Sequence, residues 1–305
     1  MRRRAIPGTD LKVSELCLGT MTFGTPVGRE DAIGLCHAAF DAGINFIDTA
    51  NSYEGYSRVV GSAGGVSETF FGAALRGRRE DAVIATKVGM KIGPGADDEG
   101  LSPAHIRREA ERSLTRLGIE RIDLYYLHRP DAAVPLAETV AAMQGLIDAG
   151  KIAHWGVSNF SAGQLTELLA TCDAGGWTRP VAVQPAYSLL KRDVEAELLP
   201  LCARESLAVI PYQVLQGGLL TGKYGAATVP SDSRLAARPE WLGRVDEALF
   251  ATLAALTEEA NAAGRTLIAH ALLELLAAPV VTSLIVGATR PQQLRDLVAI
   301  LDAAS

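Results

Sequence analysis

Short apolar runs of strand composition alternate along the chain with longer segments whose apolar residues recur at helical spacing. Strands are predicted over 15–19, 45–49, 82–87, 122–128, 152–158, 181–184, 208–212 and 283–286. Helices are predicted between them, over 29–42, 67–76, 103–117, 136–149, 162–172 and 194–204, then as a pair over 245–263 and 267–277, and finally over 291–301. The segment over 103–117 shows the logic. Ser102 suits an N-cap and Pro103 the first helical turn. Ile106, Ala110, Leu114 and Leu117 recur on one face, Arg107, Arg108, Glu111 and Arg112 take the other, and Gly118 supplies a stop. Ahead of the first strand, residues 4–13 read as a hairpin turning at Pro7-Gly8-Thr9-Asp10.

Eight strand–helix rounds in 305 residues predict an α/β fold, a (β/α)8 TIM barrel with an N-terminal β-hairpin, as a single domain over 1–305. A doubly wound sheet is the competing arrangement, but no Gly-x-Gly-x-x-Gly follows a strand and opens a helix. The longest irregular stretches, 54–66, 89–101 and 225–243, all follow predicted strands. In a barrel they belong to the face where the strands end, which carries the chemistry.

The strand ends share a second pattern. Each strand is apolar until its C-terminal end and then presents a polar group: Asp48 with Tyr53 just beyond, Lys87, His128, Ser158-Asn159, Gln184 and Tyr212. One polar strand end means little, because ends are ordinarily polar. In a barrel these six ends converge on one mouth.

Composition narrows the function classes. Hydrophobic residues make up 48% and charged residues 21%, as in a soluble globular protein. A net charge of −6 argues against a nucleic-acid surface, which needs a basic face. The most apolar region, 267–286, is broken by His270, Glu274 and Pro279, so no membrane span is expected. Met1-Arg2-Arg3-Arg4 is followed by Pro7-Gly8-Thr9-Asp10 rather than an apolar run, so no secretory signal is expected. Cys17, Cys36, Cys172 and Cys202 are far apart in apolar stretches. They read as small core residues in a cytoplasmic protein, with no metal-ligand spacing.

The strand-end groups suit one kind of reaction. A free tyrosine, with a pKa of about 10, is a poor proton donor at neutral pH. A lysine ammonium beside it favours the phenolate and lowers that value, and a carboxylate holds the lysine charged. A neutral histidine can donate a hydrogen bond to a carbonyl oxygen. Together they would protonate an oxygen as negative charge develops on it, which reduction of a carbonyl to an alcohol requires when hydride reaches the carbon.

At this point the chain resembles the aldo-keto reductases. "NFIDTANSY", "ATK", "YYLHRP", "GKIAHWGVSNF" and "IPYQVLQGGLLTGKY" carry the likeness, which runs from "LKVSELCLGTMTFG" to "IVGATRPQQL". The resemblance implies NADPH-dependent reduction of an aldehyde or ketone, with NADH the less favoured cofactor. It implies Tyr53 as general acid, Lys87 and Asp48 lowering its pKa, and His128 orienting the carbonyl. Ser158, Asn159 and Gln184 match positions that hold the nicotinamide carboxamide, and Tyr212 the aromatic that stacks on its ring. Gln213, Leu215, Gly217 and Lys223 lie in the loop that covers the pyrophosphate. Gly287, Thr289, Arg290 and Gln293 match the adenosine end, where a helix N-terminus and Arg290 favour a phosphate. Leu297 departs from the pattern, since the family often has Asn there.

Two further stretches bear on function. "GGLLTGKY" has P-loop spacing, but Tyr224 stands where a magnesium-binding Ser or Thr is needed. The 54–66 loop is longer than the family usually has between its Tyr and the following Ser-Glu pair. It reads either as a tolerated surface insertion or as a substrate-contacting lid beside Tyr53. Two rival functions remain open: a cofactor-binding redox sensor like the channel β-subunits, and a lyase forming a Schiff base on Lys87.

Overall fold

The computed structural model describes residues 1–224, 236 and 245–304. A hairpin of β1 (Arg3–Ala5) and β2 (Lys12–Ser14) comes first, followed by β3 (Leu16–Gly19) and α1 (Arg29–Asp41). The repeat then runs β4 (Phe46–Asp48), α2 (Val66–Ala74), β5 (Val83–Val88), α3 (Pro103–Leu117), β6 (Ile122–Leu127) and α4 (Leu136–Asp148). It continues with β7 (Ile152–Ser158), α5 (Ala162–Gly175), β8 (Ala182–Gln184), α6 (Leu198–Arg204) and β9 (Ala208–Val209). The last elements are α7 (Glu247–Ala262), α8 (Leu267–Ala277), β10 (Leu284–Gly287) and α9 (Pro291–Ala303). The irregular stretch 225–243 and Trp241 within it lie outside the described residues, apart from position 236.

The eight strands β10-β3-β4-β5-β6-β7-β8-β9 form one parallel sheet in that order. Its ends meet through Val209 N–H to Val280 O at 3.0 Å, Thr282 N–H to Val209 O at 2.8 Å and Ile285 N–H to Pro211 O at 3.0 Å. The result is the expected (β/α)8 barrel with its N-terminal hairpin. The strand predicted over 208–212 is cut to two residues. Pro211 has no N–H for the ladder, so pairing beyond Val209 is confined to isolated bonds.

Alternation divides the core in two. Cys17, Phe46, Ala85, Leu124, Tyr126, Ala182 and Ala208 pack inside the barrel, while their neighbours Leu18, Ile47, Ile84, Tyr125, Val183 and Val209 pack outward against the helices. Gly156 lies beside Tyr126 in the ladder. A Cβ there would come within 2.6 Å of both the Tyr126 ring and the Ala182 carbonyl oxygen, so the missing side chain is what admits the phenol ring.

The hairpin closes the barrel end opposite the strand termini. Ile6 and Val13 extend the inner core. Arg4 bonds the buried Glu15 carboxylate at 2.7 Å and the Val281 carbonyl at 2.9 Å, tying the first elements to the last. At α3, Ser102 Oγ accepts from His105 N–H and Gly118 adopts φ 67°, as its sequence predicts. Its inner face is less apolar than the pattern suggests, because His105, Glu109 and Ser113 are fully buried there.

Candidate active site

The same alternation assembles the polar mouth. In β4 Phe46 faces inward, Ile47 outward, and Asp48 inward again. In β5 Ala85 and Lys87 share the inner side, as do Leu124, Tyr126 and then His128 along β6. Ser158 and Gln184 are register partners at the ends of β7 and β8.

Lys87 is the hub. Its side chain is fully buried, and its ammonium donates to Asp48 Oδ1 at 2.5 Å, Thr49 O at 2.9 Å and Tyr53 Oη at 3.0 Å. All three donors of the ammonium are thereby committed. Asp48 accepts a second bond, from Gln184 Nε2 at 2.8 Å. The His128 ring stands edge-on to Tyr53, with centroids 5.8 Å apart and planes at 77°. Asp48, Tyr53, Lys87 and His128 therefore meet at one place, although 80 residues separate the first and last of them in sequence.

The turn that presents Tyr53 is pinned on both sides. Asn51 N–H donates to Lys87 O at 3.2 Å, Gly65 N–H donates to Asn51 O at 2.7 Å, and Ser67 N–H donates to Tyr53 O at 3.0 Å. Asn51 Nδ2 reaches the buried Glu109 carboxylate at 3.3 Å. Sequence reading overlooked Glu109 and the Gln184–Asp48 bond. Glu109 sits beside Ala110 on the apolar side of α3, where a charge is a signal of a buried partner.

The electrostatics correct one expectation. Burial pushes the Tyr53 phenol above its ordinary value; Lys87 pulls it down, and Asp48 pushes it up again. The net shift is upward, not downward, because desolvation outweighs the ammonium. The phenol therefore rests protonated. For Lys87, burial disfavours the charge, but Asp48 and Tyr53 outweigh it and push the pKa up to about 12. Burial, with the cations Lys87, Arg58 and Arg129, holds His128 well below the usual imidazole range, so its ring is neutral at pH 7.

The remaining predicted residues line the rim. Ser158 Oγ donates to Gln184 O at 2.8 Å, and Asn159 Nδ2 to His128 O at 2.9 Å. Tyr212 Oη donates to Asn159 Oδ1 at 2.7 Å, which ties three strand ends together. Among the described residues, four non-glycine residues have positive φ. Three of them, Asn159 (63°), Gln213 (59°) and Gln216 (45°), fall in the rim segments, where such strain commonly accompanies ligand binding. Gly217 at φ 64° continues the same bend, Leu215 is partly buried beside it, and Lys223 is exposed. Gly287 and Arg290 are exposed at the end of β10 and the start of α9. There Gln293 Oε1 accepts from Thr289 N–H at 2.8 Å and Arg290 N–H at 3.1 Å. Leu297 is buried in the outer core, so its side chain packs into the fold and adds no polar group to this helix turn.

Two surface cavities, of roughly 550 and 380 Å³, contain none of the four convergent residues. One is lined by Arg79, Glu80 and Asp123 near the strand starts, the other by Gly24, Glu54, Val59 and Phe70 beside the 54–66 loop. The convergence of Asp48, Tyr53, Lys87 and His128 lies outside both cavities. No described helix is long and apolar enough to cross a membrane. No group of three or more His, Cys, Asp or Glu among the described residues could hold a metal ion.

Comparison with known proteins matches this geometry to a family. A probable voltage-gated potassium channel subunit beta from Arabidopsis thaliana is 36% identical over 311 residues, covering 99% of this chain and 92% of that one. The L-glyceraldehyde 3-phosphate reductase of Escherichia coli (strain K12) is 32% identical over 320 residues, covering 99% and 88%. The structure of the glycerol dehydrogenase AKR11B4 from Gluconobacter oxydans aligns with a TM-score of 0.81 at 31% identity, covering 98% of this chain and 89% of that one. Residues 15–304 match the Aldo/keto reductase family, and the chain belongs to that family.

Proposed function

We propose that the protein is a nicotinamide-dependent carbonyl reductase, using NADPH in preference to NADH. It would act as one barrel domain in the cytoplasm and convert an aldehyde or ketone to an alcohol. The observation that carries this reading is Lys87, whose ammonium joins the Asp48 carboxylate to the Tyr53 phenol while the neutral His128 ring stands beside that phenol.

The rim suits the cofactor on its own chemistry. Ser158, Asn159 and Gln184 supply the paired donors and acceptors a carboxamide needs, and Tyr212 offers an aromatic face. The bend through Gln213, Leu215, Gly217 and Lys223 would offer backbone groups and one cation to a pyrophosphate. Gly287, Thr289, Arg290 and Gln293 would receive the adenosine end, with Arg290 and the α9 N-terminus favouring a 2′-phosphate. Bound nicotinamide supplies the reducing equivalent.

The chain's own groups do the rest. His128 donates a hydrogen bond to the carbonyl oxygen and fixes it near Tyr53. As negative charge builds on that oxygen, Tyr53 Oη gives up its proton. Lys87, 3.0 Å away, stabilises the phenolate left behind, which is where its charge counts even though the resting phenol is not acidified. Asp48 keeps Lys87 charged, and Gln184 keeps Asp48 aligned. A Schiff base on Lys87 is disfavoured, because an ammonium with a pKa of about 12 and three acceptors is no nucleophile at neutral pH.

Tyr53→Phe tests the assignment. Turnover should fall by about 10²- to 10⁴-fold, with NADPH affinity within about twofold by fluorescence titration; equal loss of both would remove Tyr53 from the acid role. A second reading follows from the likeness to the channel subunit: a cofactor-bound sensor acting through a partner. Tight NADPH binding with negligible turnover across a broad carbonyl panel would favour it.

A further inference from the structure

The geometry points to Arg58 as the residue that grips an anionic group, carboxylate or phosphate, on the far end of the carbonyl substrate. The inference rests on the reductase reading and names its substrate class.

Arg58 lies five residues beyond Tyr53, in the 54–66 loop. Its Nη2 donates to the Lys91 carbonyl at 2.8 Å, four residues beyond Lys87. The guanidinium therefore bridges the loops that leave β4 and β5, the two strands that deliver Asp48, Tyr53 and Lys87. The loop is held there by more than this contact. Tyr56 N–H donates to Thr25 O and Gly93 N–H to Ser62 O, both at 2.7 Å. It is a stitched wall of the mouth rather than a detached insertion.

The charge on Arg58 is unspent. Its Nε is buried without a hydrogen-bond partner, and among the described residues no carboxylate lies within ion-pairing distance of it. The other arginines nearby are neutralised: Arg129 by Glu99, Arg108 by Asp98 and Arg116 by Glu68. A buried unpaired donor costs stability, so a partner for Arg58 Nε would be favourable. Its field reaches the reacting groups, since it contributes to the shifts of both Tyr53 and His128. A guanidinium presents a planar fork that fits the paired oxygens of a carboxylate or phosphate. A carbonyl held between Tyr53 and His128, with an anion a few carbons away, would satisfy both ends at once.

Matched substrates test this and separate the two anion types. Succinic semialdehyde is compared with butanal, and glyceraldehyde 3-phosphate with glyceraldehyde. The wild type should favour the anionic member of at least one pair by about 10- to 100-fold in kcat/KM, and that pair identifies the anion. Arg58→Gln should abolish the preference through KM, lowering kcat/KM at least about tenfold more for the anionic member than for its neutral partner; Arg58→Lys should restore part of it. The inference is overturned by no preference in either pair, or by equal losses on both members in the Gln variant. If the protein turns over no carbonyl, the reductase reading fails by itself. Titration calorimetry of succinate and inorganic phosphate into the NADPH-loaded protein then decides Arg58. Binding lost in Arg58→Gln supports the role; no binding to wild type, or equal binding to both, refutes it.

Discussion

Lys87 is a buried cation whose three donors all face acceptors, and its titration carries a measurable consequence. Its folded pKa, about 12, exceeds the roughly 10.4 of an unfolded lysine. The folded state therefore holds this proton more tightly. The stabilisation, about 2 kcal/mol, is complete below pH ~10.4 and disappears as pH rises through 12. Urea-unfolding midpoints followed from pH 8 to 12 should show this alkaline limb in the wild type and lack it in Lys87→Met. The same residue shows how far sequence reading could go. Polar strand ends picked out Asp48, Lys87 and His128, because alternation fixes which residues face inward. Whether burial or the ammonium dominates at Tyr53 depends on desolvation, which the sequence does not carry.

Elements were legible to the degree that local chemistry sets them. α3 and α8 have the predicted bounds, as does β7, because caps and flanking turns mark their ends. The 194–204 helix begins four residues late, at Leu198, after a short 3-10 turn; Glu197 has φ −132°, outside helical values, and no capping residue in the sequence marks that break. The inner face of α3 is apolar by its spacing, yet Glu109 is fully buried there, paired to Arg112; Glu68 in α2 is buried too, paired to Arg116. Periodicity cannot separate a solvated charge from a buried pair. Packing inside the barrel gives a sharper prediction. Gly156→Ala places a methyl against the Tyr126 ring and the Ala182 carbonyl, so β7 must shift or Tyr126 must leave its position. Loss of about 1–3 kcal/mol is expected, read as a lower thermal midpoint, and the Gly156→Ala, Tyr126→Phe double variant should recover little because the ring, not the hydroxyl, is in the way.

At the scale of the whole molecule, stability and chemistry sit at opposite ends. The hairpin and Arg4 close one end of the barrel; Asp48, Tyr53, Lys87 and His128 open the other. Arg4→Ala removes the bonds to Glu15 and Val281 and leaves the buried Glu15 to Arg2 alone. It should cost about 2–3 kcal/mol in denaturant unfolding while kcat stays within about twofold, a split that would not appear if the two ends were coupled. The sheet order adds a consequence for how the protein is made. β3 must wait for β10, because Leu16 pairs with Leu284. A ribosome delivering this chain exposes an open sheet with an unpaired β3 edge until residues 284–287 emerge. The growing chain then spends most of its synthesis as a sticky half-barrel. Slowed elongation shortly before residues 284–287 should therefore raise aggregation and chaperone demand more than equal slowing before residue 46.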